Sequence, residues 1–252
     1  MIISYCTDLG TKKQINQDSM CVLHGIYKAK EYVFAAVCDG MGGLKKGEYA
    51  SSLLVKRLDD YSRNITNVLE KSTAVRQDLF YKDILSVLKN TDQEIKEYVG
   101  ESTACGTTAA VVLIYEQEVY AINVGDSRIY LLTNQMEQVS KDHTYVQEQV
   151  EKGKITEEEA KKSKKRHLLI QSVGAGTKLD PYFTKQIYKE GNEILLCSDG
   201  FRQKLEEADL FERLNPEQMT AKERMEFSLK LTIEELKRKG EKDNISAILI
   251  KV

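Results

Sequence analysis

The chain has 252 residues, 41% of them hydrophobic, and 39 acidic against 37 basic side chains give a formal charge of −2. That length can bury a large core within one domain, and the balanced charge offers no global field for nucleic acid or an anionic membrane surface. No apolar run approaches the roughly 18 residues of a membrane span, the opening Met1-Ile2-Ile3-Ser4-Tyr5-Cys6 lacks a basic leader region, and five widely spaced cysteines match neither a disulfide framework nor a zinc motif. A single domain over residues 1–252 is expected, cytoplasmic, with reduced core thiols.

In chain order, strand patterns rich in Val, Ile and Tyr run from Ile2 to Thr7, Ser19 to Ile26 and Glu31 to Cys38. Helical periodicity follows. Gly47 to Tyr61 puts Ala50, Leu54, Leu58 and Tyr61 on one stripe, and Asp78 to Val99 does the same with Ile84, Leu88, Ile95 and Val99. A second strand group covers Thr107 to Tyr115, Glu118 to Val124 and Ser127 to Leu132, with a hairpin tip at Gln117. The Lys- and Glu-dense stretch 141–166 reads as a mobile surface flap with a capped short helix at Thr156.

Strands return at Phe183 to Tyr188, Glu193 to Cys197 and Ile245 to Val252. Before the last of them lies a helix from Thr220 to Lys239, with Thr220 and Glu223 as its capping box, Met225, Leu229, Thr232, Ile233 and Leu236 as its apolar face, and Gly240 as its stop. The order predicts an α+β fold in which mainly antiparallel sheets pack together and helices cover them.

Two buried-type strands end in Asp-Gly, at Asp39-Gly40 and Asp199-Gly200, and Asp243 immediately precedes the last strand. Asp-Gly alone marks a turn. Three carboxylates delivered to strand ends, with Gly40-Met41-Gly42-Gly43 after the first, point further, because together they would repel strongly unless a hard divalent cation joined them.

The ordered set of motifs resembles a metal-dependent serine/threonine phosphatase of the protein phosphatase 2C type in its bacterial form. It comprises Thr7-Asp8-Leu9-Gly10, Asn16-Gln17-Asp18, Cys38-Asp39-Gly40-Met41-Gly42-Gly43, Gly106-Thr107-Thr108, Val124-Gly125-Asp126-Ser127-Arg128, Lys141-Asp142-His143-Thr144, Ser198-Asp199-Gly200 and Asp243-Asn244. The resemblance implies two packed antiparallel sheets flanked by helices in an αββα sandwich, with two Mn²⁺ or Mg²⁺ ions at one edge. Asp39 would bridge both ions, Asp199 and Asp243 would hold one, and the Gly40 carbonyl and Asp18 would serve the other. Asp126 would face a third, weaker ion. Water activated between two cations would hydrolyse phosphoserine and phosphothreonine in proteins, the targets of a Ser/Thr kinase and the kinase itself, with the chain acting as a monomer.

Three positions depart from the pattern. Lys13 stands where a phosphate-gripping arginine is common, Gln17 replaces a frequent glutamate, and Met41 replaces the histidine of many eukaryotic members. His143 is a candidate proton donor, whereas His24 and His167 receive no role. Cys197, two residues before Asp199, is expected on the same side as that aspartate. Two other readings are a catalytically silent binding module and a metallohydrolase of small phosphate esters. The retained aspartates speak against the first, and the lack of a Walker loop or a base-stacking platform against the second. The cluster Lys161, Lys162, Lys164, Lys165 and Arg166 is the expected docking place for an acidic or phosphorylated protein.

Overall fold

The structure, a computed structural model, describes residues 1–41, 46–100, 105–175 and 178–252. Its strands are β1 (Ile2–Asp8), β2 (Asp18–Tyr27), β3 (Lys30–Met41), β4 (Gly106–Thr107), β5 (Ala109–Tyr115), β6 (Glu118–Val124), β7 (Arg128–Leu132), β8 (Met136–Gln138), β9 (Tyr182–Ile187), β10 (Glu193–Cys197) and β11 (Ile245–Lys251). One sheet has the order β1-β11-β10-β7-β8 and the other β2-β3-β5-β6-β9, with β4 added to β3. Among the described residues every strand pair is antiparallel, and short hairpins join β2 to β3, β5 to β6 and β7 to β8.

Strand alternation explains why the middle strands read as unbroken apolar runs. In β3, Val33, Ala35 and Val37 face the core between the sheets, where they meet Ile194, Leu196, Ile248 and Ile250 of the other sheet. Phe34, Ala36 and Cys38 face the opposite way, against α1 (Lys46–Ser62) and, beyond α2 (Thr66–Leu69), α3 (Thr73–Val99). Both faces are thus buried, and each buried Val, Leu or Ile contributes about 1.5–3 kcal/mol. The second sheet's outer face is covered by α6 (Glu207–Arg213) and α7 (Lys222–Arg238). Layers of helix, sheet, sheet and helix result.

The hairpin tip at Gln117 is present: Glu116 and Gln117 take φ of 53° and 65°, the left-handed pair that lets a two-residue turn follow strand twist. Other expectations shift. The second helix starts at Thr73, earlier than its stripe suggested, because Phe80 and Arg76 are buried one and two turns before Ile84. α7 begins at Lys222 behind Ala221, without a side-chain cap, so Thr220 sits too far out to reach the third helical amide and the Thr220–Glu223 box does not form. The Thr156 box does form, at the start of α5 (Glu157–Lys162).

The flap is less open than its composition implies. His143, Thr144 and Val146 are buried, the last in α4 (Tyr145–Glu151), and Asp142 is partly buried. The five cysteines are unpaired, with Cys38, Cys105 and Cys197 buried. Among the described residues no helix is long and apolar enough to cross a membrane.

Candidate active site

The aspartates come to one end of the sandwich by register and by close backbone contact. Asp18 opens β2 directly across from Asp39 near the end of β3. Asp199 lies on the 3-10 turn Asp199–Phe201 after β10, and Asp243 in the loop before β11. Gly40 and Gly200 explain the paired Asp-Gly steps: a Cβ at Gly40 would stand 2.2 Å from the Gly47 carbonyl oxygen, and one at Gly200 would stand 2.1 Å from that of Asn244. Only glycine lets these segments close around the carboxylates.

Asn244 holds the loops in place. Its Oδ1 accepts from the Gln17 amide at 2.9 Å, and its Nδ2 donates to the carbonyls of Leu9 and Ile15. Thr108 does the same for Asp39, with its Oγ1 accepting from the Asp39 amide and its own amide donating to the Asp39 carbonyl, both at 2.9 Å.

Around these loops lies a basin of about 560 Å³, lined by Lys13, Asp39, Gly40, Asp126, Asp199 and Asp243, with Met41, His167 and Gln203 among the other walls. Asp18 lies behind it, 8% exposed. Ser198 Oγ donates to Asp18 Oδ2 at 2.9 Å, whereas Asp18 Oδ1 is buried without a hydrogen-bond partner. Burial pushes the Asp18 carboxyl up to about 6, with the Ser246 and Ser198 hydrogen bonds opposing and Asp243 adding to the rise. Burial also raises Asp39 and Asp199 well above the ordinary carboxylate range, reinforced by the neighbouring aspartates in each case. Asp126 is raised by burial against the pull of Arg202.

Among the described residues the carboxylates ring the basin, and no three His, Cys, Asp or Glu side chains form a ready metal cluster. Nitrogen groups meet part of their acceptor capacity. Lys13 Nζ stands 2.7 Å from Asp243 Oδ1, and Gln203 donates to Asp199 Oδ2. Burial would lower the Lys13 ammonium, but the Asp243 contact and the charges of Asp39 and Asp199 outweigh it and raise its pKa. The donor set still fits a hard cation: carboxylates dominate it, one buried carboxylate oxygen is unpartnered, and charge repulsion disfavours full ionisation.

A family model described as protein phosphatase 2C matches residues 10–234. The chain belongs to the protein phosphatase 2C family. The serine/threonine phosphatase Stp of Listeria innocua is 30% identical to this family member over 99% of the chain and 95% of its own length. The solved structure of the S. agalactiae serine/threonine phosphatase superposes with a TM-score of 0.82 at 26% identity, over 99% of this chain and 98% of that one. The catalytic domain of the phosphatase PstP, solved in complex with 2 manganese ions, gives 0.74 at 25% identity over 98% and 97%. The protein phosphatase 2C sandwich is therefore the fold seen here.

Some expectations for individual residues change. Gly42 and Gly43 lie outside the described residues. His143 does not open into the basin: it is 6% exposed, and its Nδ1 accepts from the Gly125 amide while its own amide donates to the Gly125 carbonyl. Its contacts pin the turn that leads into Asp126. Cys197 and Asp199 part company because the 3-10 turn interrupts strand alternation, leaving Cys197 in the core under α6 and α7, where burial pushes its thiol up to about 12.

Three basin-side residues carried no signal that spacing could reveal. Arg202 Nη2 donates to the Asp126 carbonyl at 2.8 Å and stands 3.8 Å from the carboxylates of both Asp126 and Asp142. Gln203 and His167 face each other beside Asp199. Their nearness to the basin depends on a turn and a flap leg that no local pattern announces.

Proposed function

We propose that Asp18, Asp39, Asp199 and Asp243, with the Gly40 carbonyl, hold two divalent cations, Mn²⁺ or Mg²⁺, and that Asp126 faces a third and weaker one. As a member of its family the chain is a metal-dependent protein serine/threonine phosphatase. The observation that carries the ligand assignment is the buried, unpartnered Asp18 Oδ1 behind a basin of aspartates whose charges oppose one another. The two manganese ions of the PstP complex support the count. Cations in such a site acidify water and neutralise phosphoryl oxygens.

The chain's own groups orient the substrate. Lys13 lines the basin with a raised pKa, so it stays protonated and offers a phosphoryl oxygen a point charge. Met41 lines the basin too and has no proton to give a leaving alkoxide. Arg202 already faces Asp126, so a third cation competes with a guanidinium and binds last. The substrates are phosphorylated proteins, the products of a Ser/Thr kinase, and five unpaired thiols suit a reducing cytoplasm.

The test is hydrolysis of a phosphothreonine peptide with Mn²⁺, with EDTA, and by Asp199→Asn, alongside a count of bound manganese. Turnover should vanish in EDTA and fall by about 10³-fold in the variant, with two ions on the wild type and fewer on Asp199→Asn. A folded, manganese-loaded wild type that leaves several phosphopeptides intact would instead indicate a binding module.

A further inference from the structure

Gln203 and His167 have no part in the reading above, and their geometry joins them. Gln203 Nε2 donates to Asp199 Oδ2 and lies 3.3 Å from His167 Nδ1, which is itself 3.9 Å from the same carboxylate oxygen. An ionised Asp199, the form in which it would hold a cation, only accepts, so the amide must turn its nitrogen towards Asp199 and not its oxygen. The second hydrogen on that nitrogen is then available to Nδ1, which must accept it. A neutral imidazole that accepts at Nδ1 carries its own proton at Nε2.

The ring is held where this matters. Its backbone neighbourhood is fixed by the Thr144–Leu169 bridge and by the Tyr145 amide donating to the Leu168 carbonyl at 2.8 Å. The imidazole lines the same basin as Lys13, Asp39 and Asp199, and its side chain is 45% exposed. A protonated Nε2 cannot ligate a cation, but it can donate to an anion. Lys13 supplies charge without direction, and an imidazole N–H supplies direction.

From these contacts we infer that His167 is a substrate-binding residue whose Nε2–H donates to a non-bridging oxygen of the phosphoryl group, and that Gln203 is the positioning residue that fixes its tautomer. The inference rests on the phosphatase reading for its substrate. Asp199 is shared between the two: the carboxylate orients Gln203, and Gln203 orients the histidine.

The experiment uses the full chain loaded with diamagnetic Mg²⁺ and reads two quantities that need no turnover, beside kinetics on a phosphothreonine peptide. The first is the tautomer of His167 from nitrogen-15 side-chain spectra, in which only three histidines appear. The Nε2–H form is expected in the wild type and a mixture in Gln203→Ala. The second is the Kd of inorganic phosphate by calorimetry. His167→Ala should weaken phosphate and raise KM together by about tenfold with kcat changed less than about threefold, the signature of lost uniform binding. His167→Gln, which returns an N–H near the Nε2 position, should recover most of that loss.

A wild-type ring protonated at Nδ1 would overturn the inference, as would unchanged phosphate affinity in His167→Ala. Absence of turnover in the wild type would count against the phosphatase reading alone, because the tautomer and the phosphate Kd remain measurable.

Discussion

Both ends of the sheet built on β2, β3, β5, β6 and β9 carry buried charge, and they treat it in opposite ways. In register, Tyr32 faces Tyr115 near one end of β3 and Gly40 faces Thr107 at the other, so the two ends lie roughly 25 Å apart. At the hairpin end, Arg76 is 3% exposed but pairs with Glu116 at 2.8 Å and Glu118 at 3.5 Å, and its guanidinium lies 4.7 Å from the centre of the Tyr115 ring. Lys30 and Lys185 complete the match to the same two glutamates. At the basin end, among the described residues, Asp18, Asp39, Asp126, Asp199 and Asp243 have lysine or arginine ion pairs only from Lys13 and Arg202, although Lys12 and Lys242 also line the walls. A cluster matched within itself serves the fold. One left in deficit is completed from outside, and that is how the basin can be recognised without any bound group.

The sharpest way to break this comparison is to remove charge from each end. Asp39→Asn should lower kcat/KM by about 10³-fold or more if, as proposed, this carboxylate holds the cations that activate water. It should also raise the melting temperature in EDTA by about 2–4 °C, because one repelling carboxylate is gone. A lower melting temperature in EDTA would mean that the basin's charge is matched after all. The opposite result is expected at the hairpin end. Arg76→Met should cost about 1–3 kcal/mol by removing the buried partner of Glu116 and Glu118 while leaving them Lys30 and Lys185, measured by urea unfolding, with kcat of the folded fraction unchanged.

Sequence made much of this difference visible, though unevenly. The β3 run Tyr32 to Cys38 and the α7 face from Met225 to Leu236 could be read because burial on two faces, or on one stripe, leaves a periodic record. β8 could not, since three residues carry no period. Asp39, Asp199 and Asp243 stood out because a glycine or a strand flanks each. Their supports did not: the Ser198 hydroxyl reaches Asp18 across 180 positions, and Gln203 meets His167 across 36. Nor did composition foretell that 141–166 begins buried, because the anchor is the two-pronged contact of Arg128 with Asp142 and the paired bonds of His143 with Gly125.

Glu193 sharpens the comparison from the other sheet, where it opens β10 at the end away from Asp199 and is imperfectly matched. It is fully buried, neither oxygen has a hydrogen-bond partner, and Lys251 approaches only to 3.5 Å while donating to the Pro216 carbonyl at 2.6 Å. Burial pushes its carboxyl from 4.5 up to about 7, with Lys251 opposing. A folded-state pKa above the unfolded one means that the group's contribution is fully present below about pH 4.5 and is lost as pH rises through 7. Of order 2–3 kcal/mol should disappear across that window, and Glu193→Gln should remove the slope. Parallel stability curves for the variant and the wild type between pH 5 and 8 would show that Lys251 compensates the charge in full.

The smallest effect is expected outside both clusters, on the cationic run that ends at Arg166 beside His167. Lys161 and Lys162 close α5 and are exposed, while Lys165 stands 4.8 Å from the centre of the Tyr145 ring and is partly committed to it. If a cation-loaded basin takes its phosphate from phosphorylated proteins, these lysines meet the protein surrounding the phosphate and not the phosphate itself. The double variant Lys161→Glu, Lys162→Glu should then raise KM for an acidic phosphoprotein by about two- to fivefold at low ionic strength, with the difference fading above about 0.15 M salt as screening sets in. Hydrolysis of p-nitrophenyl phosphate should stay the same, because a small ester reaches the basin without touching α5. Equal loss on both substrates would make the lysines part of the basin's own field, and no loss on either would leave phosphoprotein recognition to the basin alone.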